Sequence, residues 1–295
     1  MTAPRQVLPG ASYLVTRRCA QRQLLLRPSK TSNQVFLFLL AVAARRYGMR
    51  LHAFCVMSNH FHIVLTDPLA QLPAFQQFLD ALVARAINAS LGRWEAFWAP
   101  TSYSAVRLIS PSDVVDKAAY VLANPAAAGL VRSGRLWPGV WSDPERIGRG
   151  ALEVARPTHF FAKRSALPET LELELTAPPG FDSPGEFREQ VLAALADREK
   201  DAAGRVKGAF RGALWVLRQK PTARPSSAEP RRTLNPRVAA RDAWRRIEAL
   251  TRLAAFEREY RSALAAWCAG KRDVVFPAGT YLLRVAHGAT CAGTG

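Results

Sequence analysis

The sequence predicts an α+β fold: a ferredoxin-like antiparallel sheet with helices on one face, followed by a mainly helical C-terminal extension. Three observations carry this. Short alternating or β-branched runs fall at 12–19, 50–56, 60–66 and 104–109. Two long segments of helical apolar periodicity lie between them. Beyond residue 186 the helical pattern dominates.

Residues 12–19, Ser-Tyr-Leu-Val-Thr-Arg-Arg-Cys, alternate and are rich in β-branched and aromatic types, so they read as a strand. Arg17, Arg18 and Arg22 cluster at its end. Ser29 to Ser32 is a polar helix start, and an apolar helical pattern follows from Asn33 until Gly48 stops it. A second strand at 50–56 turns at Ser58-Asn59 into a third at 60–66, which suggests an antiparallel hairpin. Asp67-Pro68 breaks it. From Leu72 to Leu91 the positions Phe75, Phe78, Leu79, Leu82, Val83, Ala86 and Ile87 recur every three or four residues, marking an amphipathic helix capped by Gly92. Ser104 to Ile109 is the fourth strand. Ser112 and Asp113 can cap a further helix over 114–123, with Asn124-Pro125 at its end.

The second half reads differently. Residues 165–186 are acidic and carry Pro and Gly, so 146–186 is expected to be a connector. Residues 187–217 are largely helical in pattern, with a basic stretch from Arg205 to Arg218. A flexible linker is expected at 221–235. Arg237 to Gly270 holds one or two helices, with arginines on one side and Trp244, Ile247, Leu250 and Phe256 on the other. Residues 274–283 suggest a strand and turn, and the extension ends near residue 290. His287 sits alone, as a surface residue would.

Composition narrows the partner. Lys+Arg total 41 against 23 Asp+Glu in 295 residues, a net charge of +18. Such an excess favours a polyanion, because each cation set against a phosphate releases condensed counterions. Few of these cations are lysines, so a coding bias toward arginine contributes as well. Cys19, Cys55, Cys268 and Cys291 form no Cys-x-x-Cys pair, which argues against a zinc ribbon and fits a reducing cytoplasm. The N-terminus has no apolar signal-peptide core. The longest apolar run, 35–44, is about half of what crosses a bilayer. The expectation is a soluble, cytoplasmic, nucleoid-associated protein with no membrane partner.

The chemistry concentrates at Met57-Ser58-Asn59-His60-Phe61-His62-Ile63-Val64-Leu65. Side chains on a strand alternate, so His60 and His62 share a face while Phe61 takes the other. Two imidazoles on one face can supply two nitrogens to one divalent metal. The plainer reading leaves one as a core histidine and the other at the surface. Tyr120 and Asn124, four residues apart, share a helix face. By periodicity alone, Tyr120 packs with Val121 and Asn124 merely ends the helix.

Three patterns coincide: Tyr13-Leu14-Val15-Thr16-Arg17-Arg18, Val56-Met57-Ser58-Asn59-His60-Phe61-His62, and Tyr120-Val121-Leu122-Ala123-Asn124-Pro125 followed by Gly129-Leu130-Val131. In this order and spacing, over residues 11–145, the chain resembles the single-tyrosine HUH transposases of the REP-associated branch. Leu14 stands where that family usually has histidine and Ser58 where it has proline, neither a catalytic position. Ala126-Ala127-Ala128 is plainer than the family's usual basic variant.

The resemblance implies that Tyr120 is the nucleophile and that His60, His62 and Asn124 hold a divalent metal, Mg or Mn. A phenol, ionising near pH 10, is a poor nucleophile at neutral pH and needs a phosphate already polarised and oriented by a cation. The implied partner is single-stranded or hairpin DNA at REP-type sites, and the implied product is a phosphotyrosine with a free 3′-OH. Arg17, Arg18, Arg22 and Lys117 are the expected DNA-binding residues, and Trp94, Trp98 and Tyr103 possible stacking platforms. Either a monomer or a homodimer is compatible. Two other readings stay open: a replication-initiator-like nuclease, and a domesticated hairpin-binding protein without cleavage.

Overall fold

The computed structural model describes residues 4–100, 103–158, 160–162, 164–226 and 236–293. In chain order the first elements are β1 (Ala11–Arg18), α1 (Lys30–Tyr47), β2 (Arg50–Met57), β3 (His60–Asp67), α2 (Leu72–Ser90), β4 (Ser104–Leu108) and α3 (Pro111–Ala127). There follow β5 (Leu152–Ala155), β6 (Thr170–Leu173), α4 (Pro184–Arg205), α5 (Ala213–Leu217), β7 (Val238–Ala239), α6 (Ala243–Cys268) and α7 (Leu282–His287).

The first four strands pair antiparallel in the order β2-β3-β1-β4, and β7 joins the β4 edge in parallel. This is the order expected of a strand-helix-strand-strand-helix-strand unit. Each helix has a local cause. At α1, the Ser29 hydroxyl accepts from the Ser32 N–H at 3.0 Å, and Gly48 closes the C-terminus at φ 66°, a conformation that costs glycine nothing. At α3, the cap is Ser110 rather than Ser112. Its hydroxyl accepts from the Asp113 N–H, and Asp113 accepts in return from the Ser110 N–H at 2.8 Å.

The strand register sorts side chains to two faces. Arg17 opposes Phe61 and Val15 opposes Ile63, whereas Thr16 opposes His62 and Arg18 opposes His60. The Phe61 face is covered by α1 and α2, with the Phe36 and Phe61 rings 5.2 Å apart edge to face. Phe36, Phe38, Phe61 and Phe75 are all fully buried. Each such ring stabilises the fold by about 1.5–3 kcal/mol. The split unit therefore has its two helices on one face, as expected. The opposite face is covered by α3 with α4 alongside it.

That second face also holds a buried polar chain. His52 lies 2.7 Å from the Thr176 carbonyl through Nδ1 and 2.8 Å from the Thr66 hydroxyl through Nε2, and Thr66 lies 2.6 Å from the Ser12 hydroxyl. The carbonyl can only accept, so His52 Nδ1 donates and Nε2 accepts from Thr66. The contact ties residue 176 to β2.

Several elements depart from the sequence reading. Asn124 and Pro125 lie inside α3, which continues to Ala127. Pro125 removes one N–H donor, yet the alanines after it have the highest helix propensity, and Pro125 itself is buried. The connector is partly ordered: β5 and β6 pair antiparallel and pack against α1. One helix, α6, spans most of 237–270. Residues 282 and 283, read as the end of a strand and turn, instead begin α7. The expected linker at 221–235 lies outside the described residues from 227 onward.

Candidate active site

Strand alternation builds the first half of the site. His60 and His62 turn to the α3 face, with ring centroids 4.8 Å apart. Thr16, directly across the register from His62, sets its hydroxyl 2.7 Å from His62 Nδ1. Asn59 Oδ1 lies 2.7 Å from Nδ1 of His60. An amide oxygen only accepts, so with Asn59 in this orientation His60 Nδ1 donates to it. Burial foremost, with the neighbouring His60 and Arg18 adding to it, holds His62 well below the ordinary imidazole range. His62 is thus neutral at pH 7.

Helix α3 builds the second half. The centre of the Tyr120 ring is 5.6 Å from that of His62, and Tyr120 is 39% exposed, so it can be reached from solvent. Asn124, half-buried, follows one turn later on the same helix face. Lys117 Nζ lies 5.9 Å from the Tyr120 ring centre and 2.9 Å from Asp116. The contact of Asp116 with Arg198 of α4 also falls here. Burial would raise the Asp116 carboxyl, but Lys117 and Arg198 outweigh it and hold it below the usual carboxylate range.

Among the described residues no group of three or more His, Cys, Asp or Glu is gathered as a metal site. The donor set at this site is of another kind: two imidazoles on β3, with the Asn124 carboxamide one turn beyond Tyr120 on α3. Nδ1 of each ring is already held, by Thr16 and by Asn59, the arrangement that orients an imidazole for ligation through its other nitrogen. The donors therefore suit a hard or borderline divalent ion.

The expected DNA-binding residues divide. Arg18, exposed, lies on the site face opposite His60. The backbone carbonyl of Arg22 accepts from Asn59 Nδ2 at 3.4 Å, which places Arg22 beside the same turn. Arg17 points to the other face of the sheet, where its Nε is 3.2 Å from Asp80 and its guanidinium lies over Trp98. Of the three aromatic platforms, Trp98 packs against Phe61 and Phe97 and Tyr103 lies under Arg5, whereas Trp94 is 88% exposed. His287 is exposed, as expected.

Sequence reasoning missed Thr16, Asp116 and Arg198. Thr16 could be found from the hairpin register once β1 was set beside β3. Arg198 had a fainter signal: it continues the buried stripe Phe187, Val191, Leu195, Ala202 at helical spacing, a place where an apolar residue is the rule. A cavity of about 570 Å3, lined by residues such as Asn33, Phe54, Trp141 and Leu175, includes none of the site residues. No helix among the described residues is long and apolar enough to cross a membrane.

No protein-family model and no curated protein matches the chain. Among solved structures it is similar to a REP-associated tyrosine transposase bound to a REP hairpin, at 16% identity and a TM-score of 0.43, over 59% of this chain and 98% of that one. It is also similar to a putative transposase from Deinococcus radiodurans, at 20% identity and a TM-score of 0.29, over 36% of this chain and 85% of that one.

Proposed function

We propose that this chain is a metal-dependent single-stranded DNA endonuclease and strand transferase, transposase-like, that acts through a covalent bond to Tyr120. The observation that carries the reading is the approach of a solvent-reachable phenol to a histidine pair on a strand, Tyr120 to His62 at 5.6 Å and His62 to His60 at 4.8 Å. His60 and His62 would hold a divalent ion, Mn or Mg, through Nε2, with the Asn124 carboxamide as third ligand. Such an ion, when bound, supplies Lewis-acid polarisation of a phosphate oxygen.

The chain's own residues do the rest. Thr16 and Asn59 fix the imidazoles. Tyr120 Oη attacks phosphorus: the Oη–P bond forms, the P–O3′ bond breaks, the phenol loses its proton and the leaving 3′ oxygen gains one. The ester is conserved in the phosphotyrosine, so a second 3′-OH can reverse the step without an external energy source. Arg18, Arg22 and Lys117 would take DNA phosphates, which position a strand without reading its sequence. The catalytic unit is proposed to span residues 11–145, with the basic helical extension contacting flanking DNA. The hairpin or REP-type substrate rests on the motif resemblance together with the +18 charge.

A denaturing-gel assay tests this. Labelled single-stranded and hairpin DNA are incubated with Mn2+, wild type beside Tyr120→Phe. A covalent protein–DNA band in wild type alone supports the reading. Binding to hairpins with no covalent band, in either metal, favours a non-cleaving hairpin-binding protein instead.

A further inference from the structure

Tyr120 is ringed by charge that the motif does not contain. Asp116, one helical turn earlier on α3, contacts both Lys117 and Arg198. Lys117 Nζ and the Arg198 guanidinium carbon each lie 5.9 Å from the centre of the Tyr120 ring. Arg198 comes from α4, 78 positions along the chain from Tyr120 and well outside the catalytic unit. It occupies the stripe through which α4 packs on α3, between buried Leu195 and Ala202, yet its side chain remains 34% exposed.

An apolar residue would seal that stripe better, since a partly buried guanidinium bears a desolvation cost that a leucine does not. Neighbours on both sides hold the position firmly. Glu199, the next residue, accepts from the Gly134 N–H at 2.7 Å, which fixes this turn of α4 against the segment that follows α3. A guanidinium carries five N–H donors in a rigid fork, and Asp116 is a single partner. The fork therefore has capacity for a second anion, and its central carbon lies 5.9 Å from the centre of the phenol ring.

We propose that Arg198 is a phosphate-binding residue of the Tyr120 site, taking a non-bridging oxygen of the scissile phosphate, with Asp116 holding it and Lys117 ready beside the phenol. This rests on the reading of Tyr120 as nucleophile. Attack by Tyr120 concentrates negative charge on the non-bridging oxygens as phosphorus becomes five-coordinate, and preorganised cations at those oxygens stabilise that arrangement more than the ground state. The consequence is that the C-terminal extension is part of the active site, not only an auxiliary DNA clamp.

The experiment measures covalent adduct formation by the full-length chain on two substrates. One has an ordinary scissile phosphodiester; the other has a methylphosphonate there, which lacks one anionic oxygen. On the diester, Arg198→Ala lowers the adduct rate roughly 10²-fold, and on the methylphosphonate the variant and wild type agree within about twofold. Arg198→Lys, which keeps a cation, recovers part of the diester rate and covers the case in which the alanine variant fails to fold. If Arg198 serves only to pack α4 on α3, Arg198→Ala lowers both rates by the same factor, and the proposal is overturned. Equal rates for variant and wild type on the diester overturn it too. A wild type that forms no adduct on any DNA overturns the parent reading, and this one with it; the first two outcomes sink this proposal alone.

Discussion

Thr16 and His62 meet across the β1–β3 ladder, hydroxyl to Nδ1 at 2.7 Å, in a pair that the register makes directly opposite. The strand pairing that builds the sheet thereby also orients the imidazole, and sheet and site share one cause.

Thr16→Val keeps the β-branched shape but removes the hydroxyl. Loss of the partner that orients a ligating imidazole typically costs 10–100-fold in metal affinity. Calorimetric titration with Mn2+ is expected to show a loss of about that size, with the unfolding midpoint little changed. An unaltered affinity would mean that His62 is not a ligand or that Thr16 does not hold it.

Arg17 and Arg18 are adjacent in sequence but face opposite sides of the sheet. Arg18→Ala is expected to weaken hairpin binding and to reduce the salt dependence of log K by about one, the signature of one lost phosphate contact. Arg17→Ala leaves Asp80 without its 3.2 Å partner and exposes the ring of Trp98, so its expected effect is mainly on stability. Filter binding across a salt series, read beside denaturant unfolding, separates them. A salt-slope change for Arg17→Ala equal to that for Arg18→Ala would contradict the assignment.

His52 sets an acid limit on stability. Burial lowers its pKa from 6.5 to about 4. Between those values the unfolded chain binds more protons than the folded one, so stability is full above pH 6.5 and declines as pH falls toward 4. The contribution is about 3 kcal/mol, and His62, also lowered, acts in the same direction. His52→Gln is expected to be less stable at pH 7 but to show a shallower slope from pH 6.5 to 4 in urea unfolding. A slope as steep as that of wild type would remove His52 from this account.

The legible part of the molecule is the part whose physics is local. His60-Phe61-His62 alternates, so its two faces follow from the strand period alone, and Phe61 and His62 are found where that period puts them. The end of α3 was misjudged because Asn124-Pro125 looks like a stop; the alanine run and the burial of Pro125 outweigh one missing donor. The β6 strand was hidden by its glutamates, although Leu171 and Leu173 are buried and alternate with exposed Thr170 and Glu172. The stripe on α4 singles out Arg198 but not its partner. Its relation to Tyr120 depends on how α4 packs on α3, and no pattern in either helix states that contact.

The central claim is that Tyr120 forms the covalent bond to DNA. The most direct measurement digests the adduct with nuclease and trypsin and locates the remaining nucleotide by tandem mass spectrometry. Trypsin cuts after Lys117 and Arg132, and in the peptide between them Tyr120 is the sole hydroxyl-bearing residue. The account predicts a nucleotide phosphate on Tyr120 of that peptide, absent from Tyr120→Phe. A nucleotide on any other peptide would contradict it.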